Sequence, residues 1–193
     1  MNKTKFKKNL FLILLAFFLP SSVLAENLFL RNFGHGSFLI KGGGNSILIN
    51  PFKATGCASE LEEPKSINSD LILASSNLLD EGYNPDNKLM FVEPGIYKYD
   101  EIILNGITIP HDRLGGRRFG MATVWSWEQN NLKIVHMGGA AGDMDIDSQI
   151  ILARPDILFI SIGGGIKSYD GEEASKIVKK LKPSIVIPVH FEN

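Results

Sequence analysis

Histidines are the residues in this sequence with the clearest capacity for chemistry. There are four, and each lies at or just beyond the end of a short apolar run that predicts a strand: His35, His111, His136 and His190. Imidazole serves as a general base or a metal ligand near neutral pH, and loops that follow strands commonly carry sites. The pattern predicts a polar site at one sheet edge, although any one of these histidines could merely satisfy a local hydrogen bond.

Two adjacent carboxylates follow the apolar run in the segment ILASSNLLDEGYN, where Asp80 and Glu81 lie in a polar turn. Two carboxylates and one imidazole form a ligand set suited to iron or manganese as well as zinc. The same groups could form an acid–base cluster without a metal. Ser75 and Ser76 precede them, but neither lies in a G-x-S-x-G segment, so the sequence gives little support for a nucleophilic serine.

Basic residues surround a glycine pair in the segment HDRLGGRRFG. Arg113, Arg117 and Arg118 could bind an anionic ligand beside His111, because guanidinium pairs bidentately with carboxylate or phosphate. The alternative is a solvated loop that balances an acidic protein. Cys57 is the only cysteine, so an intramolecular disulfide is excluded.

The elements that must position these residues are mostly short strands. FLIKGGGNSILIN and ATVWSWEQNNLKIVHMGG predict two hairpins, and the further strands are 71–75, 88–93, 101–110, 156–164 and IVIPV near the C-terminus. A helix is predicted for DGEEASKIVKKLK, with Asp170 and Glu173 as a capping box, and a second for residues 147–153. Many strands followed by an αβαβ order indicate a layered α/β sandwich.

The N-terminus has the pattern of a secretory signal peptide. Four lysines precede the apolar run LFLILLAFFL, and PSSVLA then supplies small residues that predict cleavage after Ala25. The apolar run is shorter than the ~20 residues that span a bilayer. We therefore expect residues 1–25 to be a signal peptide and 26–193 one exported domain in the periplasm, a lumen or the extracellular space, with no stable membrane anchor. The formal charge of −1 for the whole chain argues against a nucleic-acid partner.

Six segments in order resemble the metallo-β-lactamase superfamily, in particular its short branch of predicted zinc-dependent hydrolases. They are GHGSFLI, ILINPF, ILASSNLLDEG, IPHD, VHMGGAAG and IVIPVHF, and they span Phe29 to Phe191. The resemblance implies a four-layer αββα sandwich, with two mixed β-sheets between helices. It also implies a metal-activated hydroxide as the family's nucleophile.

The same resemblance implies that most metal ligands have been replaced. Asp80, His111 and His190 match ligand positions, and Glu81 stands where the last motif histidine belongs. Other residues stand where the family has ligands or groups beside them: Asn50, Ser76, Leu78 and Gly139. His35 and His136 are placed at the cleft.

Zinc takes about four N, S or O ligands, so we expect either no metal or one divalent ion (zinc, iron or manganese). Its candidate ligands are Asp80, Glu81, His111 and His190, with Asp80 the catalytic candidate. The favoured function is non-catalytic binding of a small molecule or protein through the old active-site cleft. The alternatives are a divergent mononuclear hydrolase that uses Asp80, Glu81 and His190, and a structural protein whose cleft is filled.

Overall fold

The computed structural model describes residues 27–191. The predicted signal peptide and its cleavage site lie outside these residues. Eleven strands form two sheets, and the first sheet has five strands in the spatial order β1-β2-β3-β4-β5. Their bounds are β1 Phe29–Gly34, β2 Ser37–Gly42, β3 Asn45–Ile49, β4 Leu71–Leu73 and β5 Met90–Phe91.

The second sheet has six strands in the order β11-β10-β9-β8-β7-β6. Their bounds are β6 Gly95–Tyr99, β7 Ile102–Pro110, β8 Met121–Gln129, β9 Leu132–His136, β10 Ile157–Ser161 and β11 Ile185–Val189. Both sheets are mixed: β3-β4-β5 and β9-β10-β11 are parallel, whereas the hairpin-connected strands are antiparallel. The two predicted hairpins are therefore confirmed, as β2-β3 and β8-β9.

The main core lies between the two sheets. Alternate residues of each strand point into it, and these are large and apolar: Phe38, Ile40, Ile47, Ile49, Leu71 and Leu73 from the first sheet, and Leu104, Trp125, Trp127, Ile134 and Phe159 from the second. Face-to-face packing of two sheets through such alternating side chains defines a β-sandwich. The predicted two-sheet sandwich is confirmed.

Two helices cover the outer face of the second sheet. They are α1, Ile146–Leu152, and α2, Gly171–Leu181. Helix α2 begins with the predicted capping box of Asp170 and Glu173, and its apolar stripe of Ala174, Ile177 and Leu181 packs on that sheet. Ile67, from the irregular segment before β4, packs on the outer face of the first sheet. Between β1 and β5, the only helix in the described chain is the 3₁₀ turn Gly56–Ala58.

Within residues 27–191, no helix has the length and the apolar character needed to cross a membrane.

Candidate functional site

The candidate site lies at the edge where β4, β7, β9 and β11 end. Two hydrogen bonds tie the sheets together there: the Thr123 amide donates to the Ser75 carbonyl at 2.7 Å, and the Trp125 indole donates to the Ala74 carbonyl at 2.8 Å. Because Trp125 is fully buried, these bonds are shielded from water. The loop after β4, which carries the acidic pair, is thereby fixed against the second sheet.

Glu81 is at the centre of the site and is 1% exposed. Its carboxylate accepts hydrogen bonds from the hydroxyls of Ser75 and Ser76, both at 2.9 Å, and its Oε1 lies 3.0 Å from Nε2 of His111. Burial raises the pKa of this carboxyl, but the bond and charge of His111 outweigh burial and lower the pKa to about 2. The sequence suggested Glu81 as a metal ligand, and the structure shows it bonded to three protein groups.

Gly139, which stands where the family has its bridging aspartate, leaves the space that Glu81 uses. A β-carbon added to Gly139 would lie 2.2 Å from Nε2 of His111 and 2.5 Å from Oε1 of Glu81. Both distances are far below any normal contact, so no side chain fits at this position while Glu81 and His111 stay in place. The carboxylate of Glu81 has therefore taken over the volume next to residue 139.

Glu81 and the residues bonded to it form a buried polar cluster, in which Ser75 is also bonded to Asn50. The Asn50 side chain accepts a hydrogen bond from the Ser75 amide at 2.8 Å and donates to the Ser75 hydroxyl at 2.9 Å. That hydroxyl also accepts from the Gly139 amide at 3.2 Å and donates to Glu81. Because it donates one hydrogen bond and accepts two, the Ser75 hydroxyl has no free hydrogen-bonding capacity. Sequence reasoning did not anticipate this role for Asn50.

His111 follows β7 and is fully buried. Its ring bonds Glu81 through Nε2, whereas Nδ1 is a buried nitrogen with no hydrogen-bond partner among the described residues. Its backbone amide donates to the carbonyl of Gly120 at 3.0 Å, which closes the loop after β7. His111 and Glu81 are thus brought together as expected from the strand ends, but as partners of each other.

Asp80 is 7% exposed and has a partner of its own outside the Glu81 network. Its Oδ2 forms an ion pair with Nζ of Lys167 at 3.1 Å. The ammonium of Lys167 also lies 5.1 Å from the ring centre of Phe119, a cation–π distance. Sequence reasoning missed Lys167, because a lysine in the loop after a glycine run has no motif that would place it against an acid eighty-seven residues earlier in the chain.

His190 and His35 form a stacked pair with ring centres 4.2 Å apart. Nε2 of His190 donates to the backbone carbonyl of His35 at 2.8 Å. Burial lowers the pKa of His190, and burial together with the nearby charge of His190 lowers that of His35 to about 4. With a pKa of about 4, the His35 ring is neutral at physiological pH, and Nε2 of His190 is used as a donor to the His35 carbonyl.

Three site residues have left-handed backbone conformations, with φ of 48° at His35, 46° at Asn50 and 52° at His190. Such conformations in residues other than glycine cost about 1–3 kcal/mol each and concentrate at functional sites. These three residues lie directly beyond strands, where the chain turns sharply at the edge that carries the site.

His136 is a structural residue rather than a cleft residue. Its Nε2 donates to the Gly36 carbonyl at 2.9 Å and its Nδ1 accepts from the Gly138 amide at 3.0 Å. Both ring nitrogens are therefore used by the backbone. Burial holds the pKa of His136 at about 4, so the ring is neutral and links β9 to the turn between β1 and β2.

The loop of residues 111–120 carries the three arginines and is called the arginine loop. It is organised by Asp112, which sequence reasoning overlooked. The buried carboxylate of Asp112 accepts four backbone N–H groups at 2.8–2.9 Å, from Leu114, Gly116, Arg118 and Phe119. Burial raises its pKa, but the four donors outweigh burial and bring the pKa to about 2. The aspartate between His111 and Arg113 is the only sequence signal for this role, since aspartate commonly bonds backbone amides in turns.

The three arginines do not converge on one point. Arg113 pairs with Asp170 at 3.4 Å and with Glu173, the capping residues of α2. Arg118 lies over Phe119, with 5.1 Å from its guanidinium carbon to the ring centre, and Arg117 is exposed. The predicted anion site thus loses Arg113, which stabilises the N-terminus of α2, and retains Arg117 and Arg118 as exposed cations.

The arrangement of donors does not fit a metal ion. Oδ2 of Asp80 faces an ammonium, both oxygens of Glu81 accept hydrogen bonds from protein groups, and Nε2 of His190 carries a donated hydrogen. A metal needs lone pairs that converge on one point. Among residues 27–191, no group of three or more His, Cys, Asp or Glu side chains has such a geometry.

The sandwich and the sites at its strand ends define a class, the metallo-β-lactamase fold. The chain belongs to that superfamily, because residues 30–190 match the family described as "Beta-lactamase superfamily domain". It is 29% identical over 189 residues to a UPF0173 metal-dependent hydrolase of Thermococcus onnurineus, with 83% of each chain covered. It is 24% identical over 195 residues to another, from Thermoplasma acidophilum, covering 86% of this chain and 84% of that one.

Solved structures agree on the fold. A protein from Thermotoga maritima, proposed to be a zinc-dependent hydrolase of the metallo-β-lactamase superfamily, superposes with a TM-score of 0.67 at 20% identity. That match covers 86% of this chain and 77% of the other chain. A metallo hydrolase from Ignicoccus hospitalis gives a TM-score of 0.62 at 20% identity, covering 86% and 83%. The predicted superfamily and fold are confirmed.

Proposed function

We propose that this chain is a metal-independent member of its family that binds a small molecule or a protein partner at the edge carrying the site. The observation that carries the proposal is the position of Glu81. Its carboxylate is fully buried, accepts bonds from Ser75, Ser76 and His111, and fills the space beside Gly139. Charged hydrogen bonds of this kind stabilise by about 1.5–3 kcal/mol each, so the cluster is stable with no ion to hold it.

An apolar rim around the cluster supports a binding role. The rim consists of six apolar side chains that lie beside residues of the site or of the arginine loop, and each is more than one-third exposed. They are Leu61, Leu78, Leu79, Leu114, Ile166 and Phe191. Leu114 and Ile166 are neighbours, because the Arg113 amide donates to the Ile166 carbonyl at 3.4 Å. Exposed apolar groups gathered around a few polar ones are typical of ligand and partner sites.

Leu78 bears on the third possibility, a cleft filled by its own side chains. Leu78 is 37% exposed, which places it on the rim rather than in a packed interior. Met137, which directly follows β9 and could also fill the cleft, is fully buried in the core beneath the helices. These positions favour an accessible edge over a filled one.

A divergent mononuclear hydrolase is the second candidate, and the relatives favour it. The relatives from Thermococcus onnurineus and Thermoplasma acidophilum are both named metal-dependent hydrolases. In this chain the candidate ligands are Asp80, Glu81 and His190. For them to bind an ion, Lys167 would have to leave Asp80 and His190 would have to release the His35 carbonyl.

We also propose that the protein works outside the cytoplasm. The basic, apolar and small-residue regions of residues 1–25 support export. Expression from the complete coding sequence, followed by intact-mass measurement, tests this directly. A mature mass that begins at Glu26 in the exported fraction is expected, and an uncleaved chain retained in the cytoplasm would refute it.

Elemental mass spectrometry on the same preparation, purified without chelator or affinity tag, tests metal independence. We expect substoichiometric zinc, iron and manganese, and no thermal stabilisation by added ZnCl₂ or MnCl₂. Near-stoichiometric metal that is lost in Asp80→Asn and His190→Ala would refute metal independence and favour the mononuclear hydrolase.

The binding edge is tested with an environment-sensitive apolar dye such as anilinonaphthalene sulfonate. Leu79→Ser should weaken dye binding, because Leu79 is 52% exposed on the rim. The matched control is Ile96→Ser on the edge strand β6, which is 77% exposed but away from the site. Equal effects of the two substitutions would contradict a specific binding edge.

A further inference from the structure

We infer that Lys167 supplies the permanent positive charge that a divalent metal would otherwise provide at this site, and that its ammonium keeps a divalent ion away from Asp80. The inference deepens the proposed metal-independent function and rests on it. It explains in physical terms why the remaining carboxylates of the cluster are stable side by side in a buried position.

The contacts of Lys167 hold its ammonium at the site. Nζ lies 3.1 Å from Oδ2 of Asp80, and the two side chains are only 21% and 9% exposed. The ring of Phe119 lies on another side of the ammonium, at 5.1 Å. Burying a charged pair is costly, and removing one partner of such a pair is strongly destabilising. The position of the ammonium therefore depends on the Asp80 carboxylate, and the reverse also holds.

The loop that carries Lys167 is ordered by its own backbone. The Gly164 amide donates to the Tyr169 carbonyl at 2.9 Å, and Gly163 forms a β-bridge with Asp170 at the start of α2. The side chain thus extends from a closed loop between β10 and α2 rather than from a free segment. A lysine on such a loop loses less entropy on pairing than one on an open loop.

The charges near Asp80 show why a cation is needed there. Asp80 and Glu81 are adjacent carboxylates, both nearly buried. The nearby rings of His35 and His190 are half-buried and stacked on each other, which disfavours charge on both at once. Glu81 is compensated by its bonds to His111 and the two serines, so Asp80 depends on Lys167.

Neutralising Lys167 should therefore make the Asp80 carboxylate attract a divalent cation, while Glu81 and His190 keep their own hydrogen-bond partners. Opposite unit charges this close attract each other appreciably at the effective dielectric near a protein surface, so the Asp80 carboxylate should bind a cation more tightly once the ammonium is gone. A gain of at least about tenfold in affinity for Mn²⁺ or Zn²⁺ is a conservative expectation.

The experiment compares full-length chains by isothermal titration with MnCl₂ and ZnCl₂. Lys167→Met keeps the length of the side chain and removes the charge, so it should bind at least about tenfold tighter than the unsubstituted protein. Lys167→Arg keeps the charge and should not gain affinity. Lys65→Met, at an exposed lysine in the irregular segment before β4, is the control for loss of any lysine charge.

Two further results decide the inference. Adding Asp80→Asn to Lys167→Met should abolish the gained affinity, and a gain that survives this addition would overturn the assignment, as would equal affinities for Lys167→Met and Lys65→Met. If Lys167→Met folds only when Mn²⁺ is present, the inference is supported; failure to fold with and without Mn²⁺ overturns it. Stoichiometric metal on the unsubstituted protein would refute the proposed function itself, which separates the two failures.

Discussion

Replacing Gly139 by alanine is the sharpest perturbation that the site offers. The added β-carbon would lie 2.2 Å from Nε2 of His111 and 2.5 Å from Oε1 of Glu81, so both groups must move by about 1 Å to reach ordinary contact. Overpacking of this kind costs roughly 1–3 kcal/mol. Displacing Glu81 from its buried bonds adds a similar amount, so we expect a loss of roughly 2–5 kcal/mol in the free energy of unfolding.

Urea unfolding followed by tryptophan fluorescence measures this loss, because Trp125 and Trp127 are both buried between the sheets. Gly171→Ala is the matched control: nothing lies within 4 Å of a β-carbon there, and alanine at the start of α2 should be neutral or stabilising by up to ~1 kcal/mol. A Gly139→Ala protein within about 0.5 kcal/mol of the unsubstituted protein would show that Glu81 does not fill this space.

The coupling between the two positions follows from the same geometry. Glu81→Ala leaves His111 and two serines without their partner and should itself cost several kcal/mol. It also removes one of the two obstacles to a side chain at residue 139. The double variant Gly139→Ala/Glu81→Ala should therefore lose at least ~1 kcal/mol less than the two single losses together. Additive losses would refute the reasoning.

Three further predictions concern the surroundings of the cluster. Because the folded-state pKa of His136 is about 4 and that of Glu81 about 2, both below their unfolded values, the unfolded chain binds more protons in acid. Stability should be highest above pH ~6.5, fall toward pH 4 through His136 and fall again from ~4.5 toward 2 through Glu81; urea midpoints across this range measure it, and a flat profile would contradict it. Asp112→Asn can keep only part of the four-amide bonding, so hydrogen exchange in residues 114–119 should quicken, with Asp147→Asn in α1 as control. Arg113→Met should lower the free energy of unfolding by only ~0.5–1 kcal/mol, because its ion pairs are one-third or more exposed, and should leave dye binding unchanged.

Much of the fold could be predicted because its signals are local. The capping box at Asp170 and Glu173 needs only three residues of separation, and the hairpins follow from alternating strands joined by glycine or asparagine turns. The strand β6 was missed, since GIYKY alternates over only five residues and is recognised by its pairing with β7. Strands that depend on a partner are poorly specified by their own residues.

The site could be predicted only as a set of residues. The strand ends that bring Glu81, His111 and Gly139 together follow from the family pattern, which is a property of order along the chain. The hydrogen bonds among these residues do not follow from that pattern. Its position in the sequence makes Glu81 a candidate metal ligand, whereas in the structure Glu81 accepts hydrogen bonds from protein groups. Lys167 pairs with Asp80 across eighty-seven residues of separation, and such a contact leaves no periodic trace in a single sequence.

Strand β11 has a consequence for how the protein behaves in concentrated solution. It is an edge strand with exposed apolar residues, Ile185 at 55% and Val186 at 39%, which would invite another strand to add to the sheet. Val189 bonds inward, since its carbonyl accepts from Ile162, so the neighbouring residue, Pro188, faces outward. A proline there offers no N–H to an incoming strand. Pro188 thus hinders strand addition at this edge, and Pro188→Val should increase aggregation through β11, measured by light scattering in concentrated solution.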